Sequence, residues 1–141
     1  MLRNFTLTII KPDAVKKGYI GPILNKTTSA GFGIRALKMI TFTKKEAQRF
    51  YEVHQKCSFF ETMITFMSSS PIVVAVLEKE NAVEDFRTLI GATNPEEAAQ
   101  GTIRRIYAES IEKNAIHGAD SDENALKEIK FHFTKKEIFS F

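Results

Sequence analysis

An unbroken apolar run, Ile72-Val73-Val74-Ala75-Val76-Leu77, constrains this chain more than any other segment. It is rich in β-branched side chains and has no polar residue on either alternating face, so both faces of the strand it forms must be covered. That predicts a central strand buried on both sides. Pro71 marks its start, because proline removes a ladder donor. At 141 residues the chain reads as one domain, residues 1–141, long enough to bury a real core and too short for two.

Other segments take their places around that strand. Phe5, Leu7 and Ile9 alternate with Thr6 and Thr8, which reads as a strand whose odd positions face one side. Lys11-Pro12-Asp13 stops it. Ile23, Leu24, Thr27 and Thr28 give a short helical face over residues 21–30, Gly31-Phe32-Gly33 breaks it, and residues 34–42 read as a second strand. Thr43-Lys44-Lys45-Glu46 has the form of a capping box, in which hydroxyl and carboxylate each satisfy an orphan backbone donor. Ala47, Phe50, Tyr51, His54 and Cys57 then fall at helical spacing, and residues 59–67 make another helical piece.

Beyond the central strand, Asn81 with Glu84 opens a helix whose apolar side is Val83, Phe86 and Ile90. A long loop starts at Gly91-Ala92-Thr93-Asn94-Pro95 and runs to Gly101; long loops in compact domains are often functional. Ile103, Ile106, Tyr107, Ser110 and Ile111 read as a further amphipathic helix, and residues 114–118 as a short strand. Asp120 with Glu123 caps a last helix bearing Leu126, Ile129 and Phe133. The order is roughly β-α-β-α-β-α-α-β-α, without repeats or low-complexity segments, and the class is α+β.

Lys and Arg number 20 against 17 Asp and Glu, a net charge of +3. That excess suits polyanionic ligands such as nucleotides and falls short of the basic stripe of a dedicated DNA binder. A single cysteine, Cys57, excludes an intrachain disulfide and a stapled secreted scaffold. The opening residues have no signal-peptide core, and no stretch approaches the ~20 apolar residues of a membrane span. A soluble cytoplasmic protein is expected. Twelve phenylalanines against no tryptophan fit a well-filled interior or a stacking platform for a base, and composition leaves both open.

Several motifs fail on context. Gly31-Phe32-Gly33-Ile34-Arg35-Ala36 has the letters of a dinucleotide fingerprint but ends a helix and enters a strand, the reverse of what is required. No Walker loop, Cys-x-x-Cys or His-Glu-x-x-His is present, and Asp120, Asp122 and Glu123 lack calcium-loop spacing.

Chemistry concentrates at Asn114-Ala115-Ile116-His117-Gly118-Ala119-Asp120-Ser121. His117 stands at the end of a strand, beside a glycine that permits close approach by a ligand and before a helix N-terminus that favours phosphate. Glu128, two turns into that helix, is placed to orient the imidazole and leave its other nitrogen free to attack. Lys11 follows a strand, Arg87 precedes the long loop, Thr93 lies in it and Arg104 lies just beyond. Together they make the inventory of phosphoryl transfer: cations for the phosphate oxygens and one positioned nucleophile.

In Lys11-Pro12-Asp13-Ala14-Val15, Phe59-Phe60, residues 90–95, Gly101-Thr102-Ile103-Arg104 and Asn114-x-x-His117-Gly118-x-Asp120-Ser121, the chain resembles the nucleoside diphosphate kinase family. The resemblance runs from about Phe5 to Phe133. It implies a ferredoxin-like βαββαβ core with a four-stranded antiparallel sheet, surrounding helices and a helical hairpin inserted near residues 44–69. It implies a base stacked between Phe59 and Ile111 with Met63 nearby, ribose and inner phosphates on Lys11, Thr93 and Asn114, and outer phosphates on Arg87 and Arg104. Gly118 belongs to the same nucleotide-binding set. His117, Glu128 and Tyr51 are the implied catalytic group, with Tyr51 helping to place the transferred phosphate. Mg2+ arrives on the nucleotide phosphates, with Asp120 touching it through water. The implied mechanism is ping-pong through phosphorylated His117, acting on nucleoside di- and triphosphates, and the implied assembly is a homotetramer or homohexamer.

The pattern departs from the family in three places. Ala119 stands where the family usually carries a serine whose hydroxyl bonds the orienting carboxylate, so a slower enzyme is expected. Cys57-Ser58 replaces a basic residue and proline, and Ser70 replaces glycine. The alternative function is a catalytically weak relative serving as a nucleotide- or nucleic-acid-binding module. Retention of His117, Lys11 and the arginines argues against it. The strand content argues against a helical histidine phosphotransfer bundle.

Overall fold

The computed structural model describes residues 4–141. The apolar run forms strand β3 (Ile72–Glu78), buried at every position except its last. It pairs antiparallel with β1 (Phe5–Ile10) on one side and with β2 (Gly33–Ile40) on the other. A short β4 (Ile116–Gly118) pairs antiparallel with β1, so the sheet order is β2-β3-β1-β4.

Helices cover both faces, as the central run requires. Leu7, Ile9, Val74 and Val76 pack on one side against α3 (Lys44–Phe50), α4 (Phe60–Met67) and α7 (Asp122–His132), meeting Ala47, Ile64, Met67 and Ile129. Ile10, Val73, Ala75 and Leu77 pack on the other against α1 (Pro12–Lys16), α2 (Ile20–Ser29), α5 (Ala82–Ile90) and α6 (Ile103–Tyr107). Each large side chain so buried contributes about 1.5–3 kcal/mol relative to exposure. The βαββαβ core is ferredoxin-like, with α3 and α4 as the inserted hairpin between β2 and β3. Phe32, Phe42, Phe60, Phe86 and Phe133 are interior, while Phe59 is half exposed.

The capping box forms, with Thr43 and Glu46 exchanging hydrogen bonds of 2.9 and 3.1 Å. Several element ends differ from expectation. Lys11-Pro12-Asp13 stops β1 but also opens α1, because proline at the first helical turn needs no hydrogen-bond partner. The helix after Thr43 ends at Phe50, and a 3₁₀ turn over Glu52–His54 turns Tyr51 into the core while leaving Val53 outside. Asn81 adopts a left-handed φ of 58° and donates to the Glu84 carboxylate instead of capping α5. Helix α6 stops at Tyr107, short of Ser110 and Ile111, because Ser110 Oγ captures the Lys113 N–H and closes a tight loop. Ser121, not Asp120, caps α7 by accepting from the Asn124 N–H at 3.1 Å, and Asp120 takes the Asn124 side-chain amide instead.

Candidate active site

Residues directly opposite in an antiparallel pair point to the same side, so His117, opposite Ile9, faces α7. There its Nε2 lies 2.7 Å from Glu128 Oε1. A carboxylate accepts hydrogen bonds, so Nε2 carries the hydrogen and the Nδ1 lone pair is left free. Glu128 Oε2 has no partner among the described residues, and Ala119 is buried against Val83 and Ala125.

Gly118, the next residue, pairs with Thr8 and faces the opposite layer. A Cβ there would come within 3.0 Å of the Phe86 ring and 3.1 Å of Ile90. Close packing of α5 on β4 is therefore a structural demand for this glycine, separate from ligand approach.

Rings surround the histidine. Phe50 meets the imidazole at 5.5 Å between centroids and 73°, and Tyr51 meets it at 6.5 Å and 86°. The Tyr51 hydroxyl is buried without a partner, and burial drives its pKa well above the usual phenol range. His132, packed at a tilt against Phe50 and Phe42, is pushed down to about 4 by burial, so this second imidazole is neutral at physiological pH. A cleft of about 460 Å³ opens over His117 and is rimmed by Arg49, Tyr51, Arg87, Asp120 and Lys127.

Two further cations, Lys11 and Arg104, are tied to the segment that leads into and forms β4. Lys11 Nζ donates to Asn114 Oδ1 at 2.8 Å, joining residues at opposite ends of the chain. Burial, then the Arg104 charge, lowers the Lys11 ammonium to about 8. Arg104 donates from Nη1 to the Gly91 carbonyl at 3.1 Å and from Nη2 to the Ile116 carbonyl at 2.7 Å, while its Nε is buried without an acceptor. Burial, then Arg87, lowers its guanidinium to about 10, which places Arg87 within electrostatic reach.

Gly91 is required where it stands. Its φ is +88°, and a Cβ would fall 2.6 Å from Thr102 Oγ1. The turn before β4 is strained as well: Ala115 has a φ of 73°, and the Ile116 N–H donates to the Asn114 carbonyl across it at 2.9 Å. This is a γ-turn with positive φ on a residue other than glycine, a conformation that costs about 1–3 kcal/mol.

The structure thus draws His117, Glu128 and Tyr51 together and ties Lys11 to Asn114 and Arg104 to the base of β4. Thr93 is exposed in the loop, and Phe59 and Ile111 are half exposed, with no hydrogen bond or ring contact to the histidine. Met63 packs partly against the core beneath α4. Two residues given no role from sequence belong to the site: Phe50, an aromatic neighbour of Tyr51, and Asp13, a carboxylate just after the strand-ending proline.

Residues 4–138 match the family model described as nucleoside diphosphate kinase. The nucleoside diphosphate kinase of Flavobacterium psychrophilum is 58% identical over 139 residues, covering 99% of this chain and 100% of that one. That of Campylobacter lari is 58% identical over 133 residues, covering 94% and 97%. Among solved structures, the Aquifex aeolicus nucleoside diphosphate kinase superposes with a TM-score of 0.95 at 47% identity, covering 96% of this chain and 99% of that one. A nucleoside diphosphate kinase from Halobacterium salinarum in complex with CDP gives 0.94 at 30% identity, covering 99% and 93%. Fold and sequence agree over nearly the whole length, and the chain belongs to the nucleoside diphosphate kinase family.

Proposed function

We propose that this single-domain protein transfers the γ-phosphate of a nucleoside triphosphate, typically ATP, to a nucleoside diphosphate through a phosphohistidine on His117. The observation that carries this reading is the His117–Glu128 pair, which leaves Nδ1 free beside Tyr51 under an open cleft. In the first half-reaction the Nδ1 lone pair attacks the γ-phosphorus. The N–P bond forms as the bond to the β–γ bridging oxygen breaks, and that electron pair leaves on the diphosphate. In the second, a β-phosphate oxygen of another diphosphate attacks phosphorus and the N–P pair returns to Nδ1. Phosphoryl transfer asks a protein mainly for position and charge, and the site offers both.

Arg87 and Arg104 take the outer phosphates, and Lys11, Thr93 and Asn114 take the ribose and inner ones, with Gly118 alongside. The half-exposed Phe59 and Ile111 hold the base with Met63; stacking reads a π-face and tolerates every base. Mg2+ would come as part of the nucleotide and would neutralise phosphate charge, and the exposed Asp120 on the cleft would meet it through water. The setting is the cytoplasm; no helix among the described residues is long and apolar enough to cross a membrane. Edge strand β2 leaves Leu37 and Met39 about half exposed, which supports a homotetramer or homohexamer; a solution mass of one 16.0 kDa chain would contradict it. Initial rates with both nucleotides varied test the mechanism. Parallel double-reciprocal lines support the phosphoenzyme, and intersecting lines contradict it.

Three expectations attach to individual residues. Tyr51→Phe removes a buried hydroxyl that has no partner in the free protein. It should leave Tm unchanged or slightly higher while lowering kcat by about tenfold, because the transferred phosphate loses a donor. A drop in Tm without loss of kcat would reverse that assignment.

Lys11, with its ammonium lowered to about 8, should release phosphate as pH rises through that value. KM for the triphosphate should climb by up to about tenfold per pH unit above 8, and Lys11→Arg, which keeps its charge, should flatten the rise. An identical profile in both proteins would place the titration elsewhere. Because the fold binds this proton less tightly than the unfolded chain does, the Lys11 contribution to stability increases as pH climbs from 8 towards 10.5.

Ala119→Ser supplies the hydroxyl that the family pattern places near the orienting carboxylate. One such hydrogen bond is worth about 1 kcal/mol, so turnover should rise severalfold. Equal kcat in the two proteins would show the hydroxyl to be dispensable here.

A further inference from the structure

We propose that Asp13 is a positioning residue for this site: its carboxylate holds Ala115 in the positive-φ turn from which Asn114 and His117 are presented. The inference rests on the phosphohistidine reading above.

The turn is gripped from one tripeptide. Asp13 Oδ2 accepts from the Ala115 N–H at 3.1 Å, and the Lys11 N–H donates to the Ala115 carbonyl at 2.8 Å. Both polar groups of one strained residue are thus held by positions two apart in sequence. Pro12 lies between them with its φ fixed by the ring and starts α1, so the pincer has little freedom. Ala115 is fully buried with Asp13 in place, so the carboxylate is the acceptor its N–H has in the folded protein. Every following peptide is also tied: Arg104 Nη2 donates to the Ile116 carbonyl, and Thr8 Oγ1 donates to the His117 carbonyl at 2.8 Å.

Strain of this kind persists only where its surroundings impose it. Among the described residues Asp13 is the one side chain that bonds the Ala115 amide. Without it the Asn114–Ala115 peptide is held only through its carbonyl, by the 2.9 Å bond from the Ile116 N–H, and its N–H loses the bond that opposes rotation. Rotation would carry the Asn114 side chain off Lys11 Nζ and shift the entry into β4, two residues from the nucleophile. A displacement of this order suffices to slow a positioned reaction by orders of magnitude. Burial holds the Asp13 pKa above the usual carboxylate range, in keeping with a group enclosed for structural use.

The test is the rate constant of His117 phosphorylation in a single turnover with excess ATP and Mg2+. Unlike the amplitude, it does not depend on the fraction of protein that is folded. Asp13→Ala should lower this constant about tenfold or more, and Asp13→Asn, which keeps an oxygen acceptor, should stay within about threefold of wild type. Glycine adopts positive φ freely, so Asp13→Ala combined with Ala115→Gly should return to within about threefold of Ala115→Gly alone. A wild-type rate constant in Asp13→Ala overturns the proposal. So does a loss in Asp13→Asn as large as in Asp13→Ala, or a loss that Ala115→Gly fails to lift. If Asp13→Ala yields no folded protein, Asp13→Asn decides by the same threshold. Absence of any phosphorylation in wild type sinks the phosphohistidine reading and this proposal together, whereas a labelled wild type with an indifferent Asp13 sinks the proposal alone.

Discussion

His117→Ala is expected to fold normally and to lose phosphate transfer from ATP to GDP by on the order of 10⁴-fold or more. The size follows from the role: removal of a covalent nucleophile leaves only binding and electrostatics, which cannot replace the missing bond. The fold should tolerate the change, because the imidazole makes one side-chain bond, to Glu128, and the Glu128 side chain retains 19% exposure through which water can reach it. A Tm within a few degrees of wild type, measured alongside turnover, separates lost chemistry from lost structure. Residual transfer above a hundredth of wild type would move the nucleophile elsewhere.

Arg104→Ala should be costly on both counts. Its guanidinium joins the carbonyl ending α5 at Gly91 to the carbonyl of Ile116 in β4, so it braces the two elements that flank the nucleophile. Two charge-assisted bonds lost from a largely buried position should destabilise by about 2–4 kcal/mol, or roughly 10 °C in Tm. Turnover should fall by about a hundredfold or more, since a developing phosphate charge also loses its fork of donors. Arg104→Lys keeps a charge but not the fork, and should recover part of the binding and little of the stability. A full return of Tm with lysine would show that the fork geometry is unimportant. Thermal denaturation and steady-state kinetics on the same preparations read both effects.

The parts of this structure that were legible from sequence are those governed by local period. The run at Ile72–Leu77 announces a strand covered on both faces, and Thr43 with Glu46 announces a helix start. The misread ends share a cause: one residue type serves two grammars. Pro12 is a strand breaker and also a good first helical residue, and Ser121 competes with its neighbour Asp120 for the same cap. Gly118 looked like an opening for a ligand because its partner surface, Phe86 and Ile90 of α5, lies far off in sequence. The site is less legible than the fold for the same reason. Nothing local to Asn114 points to Lys11, and nothing local to Asp13 points to Ala115, although each pair is joined by a hydrogen bond across more than a hundred residues. Nor does any sequence period reveal that Arg104 is half committed to backbone carbonyls before a phosphate arrives.

The central claim is that phosphate rests on His117 between two nucleotides. Incubation with γ-labelled ATP and Mg2+, followed by a chase with unlabelled GDP, tests it most directly, with His117→Ala run beside the wild type. The account predicts acid-labile label on the wild type alone and its release as labelled GTP during the chase. A wild type that takes up no label, or that keeps its label when GDP is added, would contradict it.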